Sequence, residues 1–121
     1  MINTYKDLTV WQRAIELVEE VYKVSNKFPK EEIYGLTSQM KRASISIPSN
    51  IAEGRRRRTK ADYFRFLIIA YSSGAELETQ IEIAKRLKFI DSSNYSKLDN
   101  LLDEVMKMLN KMLNNSNKLK S

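Results

Sequence analysis

Apolar residues recur at intervals of three and four along almost the whole chain. Leu8, Trp11, Ile15, Val18 and Tyr22 form one line, and Leu36, Met40, Ala43, Ile47 and Ile51 a second. Phe64, Leu67, Ile68, Tyr71, Ala75, Ile81 and Ala84 form a third, leaving for solvent at Lys88, and Leu98, Leu102, Val105, Leu109 and Met112 a fourth. This period places each line on one face of a helix, and strict alternation, the mark of a strand, never lasts. "ASISIPS", residues 43–49, alternates briefly but lies inside the second line and reads as helix.

Local chemistry sets the boundaries. Pro29 separates the first two helices, and Gly54 suits the residue just past a helix end. Thr59, with Asp62 three residues on, resembles an N-cap with an acidic partner in the first turn. "DSSN", residues 91–94, offers caps for the last helix. The pattern predicts helices over about 8–26, 34–54, 60–89 and 94–115, with a polar tail, 116–121, that frays. Short connectors between four helices imply one all-α domain, 1–121, built as an antiparallel up-and-down bundle.

The second helix carries two irregularities. Pro48 has no N–H, so the Ser44 carbonyl loses its helical partner, and the helix is expected to bend around its core. The hydroxyls of Ser46 and Ser49 are placed to soften that defect. Beside the apolar line runs a polar one: Gln39, Arg42, Ser46, Asn50 and Glu53. The third helix offers Ser72, Ser73, Glu76, Thr79 and Gln80 opposite it. A structural polar network of Gln39, Arg42, Ser46, Asn50, Glu53 and Glu76 is expected, between helices or between subunits, with Arg42 and Glu76 pairing across the gap. The catalytic alternative is a paired-carboxylate site from Glu53, Glu76 and Glu78.

Composition narrows the chemistry. The 121 residues include no cysteine and no histidine. Disulfides, thiolate metal sites and Ser-His-Asp or Cys-His hydrolysis are thereby excluded. A di-metal carboxylate bundle usually draws on Glu-x-x-His, which is absent, so no metal and no cofactor is expected. Three glycines are too few for a phosphate-cradling loop. No apolar run is long enough to span a membrane, and residues 1–20 lack a signal-like apolar stretch, so a cytoplasmic protein is expected.

The net charge of +6 is concentrated in one place. Residues 1–54 hold seven basic and seven acidic side chains, residues 55–65 six and one, and residues 66–121 eight and seven. The surplus therefore sits at the corner between the second and third helices: Arg55, Arg56, Arg57, Arg58, Lys60 and Arg65. A tight turn offers no core to hide them, so they are expected to fan into water. Cations favour a helix C-terminus, but that benefit fades within a turn and does not account for four in succession. The arginine fork suits phosphate, so these six are the candidate nucleic-acid contacts. Tyr63 is placed to stack on a base, whereas Phe64 reads as core.

The same residues carry a family resemblance. "LTSQMKRASISIPSNIAEG" followed by "YFRFLIIAYSSGAELETQI" resembles the four-helix proteins known as intervening-sequence proteins of large-subunit ribosomal RNA. "YKDLTVWQRAIELVEEVY" and "FPKEEIYGL" fit the same pattern, and the likeness covers residues 4–113. Its most specific parts are Asn50-Ile51-Ala52-Glu53-Gly54 and the series Ala70, Ser73, Glu76, Thr79. Ser72 departs from the family's usual glycine and is expected to loosen a close helix contact. The resemblance implies an up-and-down protomer in a homopentameric ring. It also implies kinship with the accessory variability determinant proteins of diversity-generating retroelements, basic pentamers that bind nucleic acid and a reverse transcriptase.

Three functions compete on these grounds. The first is a non-enzymatic ring that binds RNA or DNA with low specificity. The second is a scaffold or adaptor docking a protein partner such as a reverse transcriptase. The third, a hydrolase using the acidic residues, ranks last.

Overall fold

The computed structural model describes the backbone of residues 4–120 and the side chains of 4–115. Four helices make up the structure: α1 (Thr9–Ser25), α2 (Leu36–Arg55), α3 (Lys60–Arg86) and α4 (Ser96–Lys120). Short 3-10 turns at Tyr5–Asp7, Lys30–Glu32 and Ser92–Tyr95 precede α1, α2 and α4. No strand occurs among the described residues, and none of their helices is long and apolar enough to cross a membrane.

Helices adjacent in sequence pack together, and α1 closes the bundle against α4. The α2–α3 interface is the most extensive. One shared core runs through all four, with Leu17, Met40, Ile47, Leu67, Leu77, Leu98 and Leu109 fully enclosed.

The apolar lines read from the sequence fall on the core in α2 and α4, in part in α3, and beside it in α1. In α1 the buried line is Val10, Ala14, Leu17, Val21 and Val24. Leu8, Trp11, Ile15 and Val18 lie on its half-buried flank, and Tyr22 is exposed. In α3 the seam is Phe64, Leu67, Ala70, Gly74, Leu77, Ile81 and Ala84, while Ile68 and Ala75 face out. Both helices carry two neighbouring apolar lines, and packing against only two partners buries one of them fully.

The ends also differ in informative ways. Thr59 caps α3 as expected, its Oγ1 accepting from the Asp62 N–H at 3.1 Å. α3 ends at Arg86 with Lys88 at φ 56°; the Lys88 N–H donates to the Lys85 carbonyl and the Phe89 N–H to the Ala84 carbonyl. This is a complete Schellman cap with lysine where glycine is the usual residue. Asp91 accepts from the Ser93 N–H and caps the 3-10 turn, so α4 itself begins only at Ser96. α4 runs on to Lys120, so segment 116–120, expected to fray, has helical backbone: it contains no proline or glycine to break the ladder. Ser121 lies outside the described residues.

Pro48 is buried, and α2 continues as helix on both sides of it. The Ser46 hydroxyl, expected to relieve the proline's missing bond, is engaged elsewhere, as described below.

The candidate nucleic-acid interface at the α2–α3 corner

The corner is a short turn, residues 56–59, between two long antiparallel helices. Its tightness starts at Gly54, which is buried inside α2 with an ordinary negative φ. It is therefore no left-handed cap, contrary to the sequence expectation. Its missing side chain matters instead: a Cβ here would lie 2.8 Å from the Phe66 Cβ and 3.0 Å from the Tyr63 Cδ1. The last turn of α2 thus rests directly on the first turns of α3. The Arg56 N–H donates to the Glu53 carbonyl at 3.3 Å and the Arg57 N–H to the Gly54 carbonyl at 3.0 Å, winding the chain out of α2.

Arg55, Arg56, Arg57, Arg58, Lys60 and Arg65 are all exposed. They do not fan freely into water. Arg55 lies over the Tyr63 ring at 5.9 Å, Arg56 over Tyr5 at 5.4 Å, and Arg57 over Phe66 at 4.4 Å. Arg65 approaches the same Phe66 ring at 4.7 Å. Guanidinium groups are attracted to aromatic faces, and the weak hydration of the planar ion makes such seats favourable even near solvent. Tyr63, a minor candidate for base stacking, has Arg55 over its ring. Phe64 is core.

Tyr5 and Phe66 were not singled out in the sequence. Phe66 is foreshadowed by its position one turn after Tyr63, on the face that meets Gly54. Tyr5 has no such signal, because its contact spans the fold. Its segment is anchored by a capping box between Thr4 and Asp7, by Gln12 Nε2 donating to the Lys6 carbonyl at 2.9 Å, and by an edge-on Trp11 at 5.4 Å.

Acidic groups scarcely answer the corner's charge. Arg65 stands 3.7 Å from Asp62, with both side chains largely in solvent, an ion pair of small worth. Among the described residues, Arg55, Arg56, Arg57, Arg58 and Lys60 form no ion pair, and Glu53, one turn away, is exposed and makes none either.

The polar line on α2 divides. Asn50 Nδ2 donates to the Ser46 carbonyl at 2.7 Å and to Ser46 Oγ at 2.9 Å, and Ser46 Oγ meets Ser73 Oγ at 2.8 Å. That chain crosses from α2 to α3. Gln39, Arg42 and Glu76 do not join it. They border an open groove of about 350 Å³ with Ser46, Ser73 and Gln80, and the expected Arg42–Glu76 pair does not form. Both side chains are exposed. Gln80 is 6 % exposed, and its Oε1 has no partner within the chain. Thr79 turns back to the Ala75 carbonyl at 3.0 Å. Ser72 is exposed and touches no tight helix contact; the close approach in α3 belongs to Gly74, against Met106. No group of three or more acidic side chains among the described residues is placed to hold a metal ion.

Comparison with known proteins follows the same outline. A crystal structure of a protein of unknown function from the S23 ribosomal protein family of Bacteroides thetaiotaomicron matches with a TM-score of 0.80, at 23% identity, over 87% of this chain and 98% of that one. This likeness establishes the shared fold. No curated protein matches the chain. The model of the 23S rRNA-intervening sequence proteins matches residues 6–111, from the turn before α1 to the last apolar stretch of α4. The chain therefore belongs to the 23S rRNA-intervening sequence protein family.

Proposed function

We propose that this chain is a non-enzymatic, oligomeric nucleic-acid-binding protein of the cytoplasm. It holds the phosphate backbone of RNA or DNA at the α2–α3 corner through Arg55, Arg56, Arg57, Arg58 and Lys60, with Arg65 at the edge. One observation carries the reading: four successive arginines stay exposed without an acidic partner, and three of them rest on aromatic rings. A guanidinium seated on a ring has already given up part of its rotamer freedom, so less is lost when a phosphate arrives. Backbone contacts fix position without reading sequence, so binding is of low specificity. The family's name, which ties it to ribosomal RNA, supports RNA as the first ligand to test.

The family resemblance extends the proposal to a homopentameric ring. The exposed Ile68 and Ile83 of α3, with Leu87 just past its end, support self-association, since they offer apolar area that a neighbouring copy could bury. A ring repeats the corner and multiplies weak contacts.

A second reading, an adaptor that docks a protein, is favoured by Ile33 and Tyr34. They stand 51% and 98% exposed at the far end of the bundle, and a bare tyrosine suits a protein contact. The implied kinship with retroelement accessory proteins makes a reverse transcriptase the partner to try.

The test is titration of labelled RNA and DNA across a salt series. With about four phosphate contacts, affinity should fall on the order of 100-fold between 50 and 200 mM salt. Replacing Arg55–Arg58 by glutamate should abolish binding with helicity unchanged. Equal binding by the reversed protein at every salt concentration overturns the assignment. A partner retained on pull-down after nuclease treatment favours the adaptor. Magnesium-dependent cleavage lost in Glu53→Gln and Glu76→Gln proteins would instead make the chain a hydrolase.

A further inference from the structure

Two charges on the α2–α3 face stand apart from the rest. Ion pairs elsewhere in the bundle commonly join residues three or four apart on one helix, as at Arg13–Glu16, Arg65–Asp62, Arg86–Glu82 and Lys107–Asp103. Arg42 has no acidic residue at those spacings in α2, and Glu76 has no basic one in α3. Both border the groove between the two helices, and both are exposed. Neither makes an ion pair or a side-chain hydrogen bond among the described residues. Between them the helices are tied by the Ser46–Ser73 hydroxyl pair at 2.8 Å, with Asn50 donating to Ser46. The two charges therefore stand on helices held in a fixed register.

Apolar side chains share this side of the helices. Ile45, one turn after Arg42, is 42% exposed, and Ile69, one turn before Ser73, is 38% exposed. The 20 residues of α2 run about 30 Å, and two helices side by side are about 20 Å across. That footprint, about 600 Å² before its corrugation is counted, approaches the roughly 800 Å² per partner of specific interfaces.

We propose that this face receives a second copy of the chain, α2 of one copy lying against α3 of the other, with Arg42 paired to Glu76 of the partner subunit. The charges identify the occupant. Each copy carries a cation on α2 and an anion on α3, so α2 against α3 joins opposite signs. α2 against α2, or α3 against α3, sets like charges together and is disfavoured. The face thus complements itself, and Ile45 and Ile69 supply apolar area beside the pair. The pairing rests on the oligomeric reading above, to which it adds the residues in contact, and it does not involve the arginine corner.

The experiment measures the mass of the full chain in solution by light scattering over a concentration series. The parent should exceed the mass of one chain. Arg42→Glu and Glu76→Arg should each raise the concentration needed for assembly by about tenfold or more, with helicity unchanged. Both substitutions in one chain exchange the signs and should restore assembly. Mixing the two single variants should give mixed pairs, an outcome that a contact inside one chain does not produce. The chain has no cysteine, which allows a second readout. Arg42→Cys and Glu76→Cys chains, co-expressed and oxidised in air, should be linked one kind to the other and neither kind to itself. A parent that stays a single chain overturns the oligomeric reading and this contact with it. An assembled parent that gives no mixed disulfide, or whose assembly is indifferent to both reversals, overturns the contact alone and leaves the oligomer standing.

Discussion

At Gly54 one absent methyl group sets how closely α2 approaches α3. An added Cβ meets the Phe66 Cβ, an atom fixed to the backbone, so the helices themselves must separate. Gly74 offers the contrast, because its added Cβ meets chiefly the thioether of Met106, the flexible end of a pliable side chain. Gly54→Ala is therefore expected to destabilise the fold by about 1–3 kcal/mol, despite a helix-propensity gain near 1 kcal/mol. Gly74→Ala should cost clearly less. Urea unfolding of the two variants checks this, and equal costs would mean that Gly54 does not set the spacing. The sequence marked Gly54 as important but misread the reason. A glycine near a predicted helix end looks like a cap, and only the neighbouring helix shows that the missing volume, not the backbone angle, is what the site needs.

Among the elements, α2 and α4 were legible because each carries one dominant apolar line. α1 and α3 carry two, and periodicity cannot choose between them; the choice is made by which neighbour packs where. For the same reason the polar line of α2 was only partly readable. Spacing put Gln39, Arg42, Ser46, Asn50 and Glu53 on one face, but only Ser46 is answered from α3, through Ser73, and Asn50 joins by donating to Ser46 within α2. The hydroxyl pair pins α2 to α3 near Pro48. In a double-mutant cycle, Ser46→Ala and Ser73→Ala should show a coupling of about 0.5–1.5 kcal/mol in stability. Strictly additive costs would show that the contact contributes nothing. The arginine corner was legible as charge because charge is a property of composition. Its aromatic seats were not, since Tyr5 reaches Arg56 only after α1 has folded back against α2.

For the whole molecule, the proposed ring makes the outer face of α3 a contact surface. Ile68→Lys and Ile83→Lys should then leave helicity intact but reduce the mass in solution to that of one chain. An unchanged mass in both variants would place any assembly contact elsewhere. The alternation of four helices has one more effect. α1 begins, α4 finishes and α2 turns into α3 all at one pole of the bundle, and the seat of Arg56 on Tyr5 shows how near the leading segment comes. Anything joined ahead of the Tyr5 segment therefore starts close to the guanidinium cluster, at high local concentration. An acidic appendage there would act as a tethered decoy for the arginines, and a bulky purification tag as a plug, so a fusion partner's sign and size would set the affinity that an assay records.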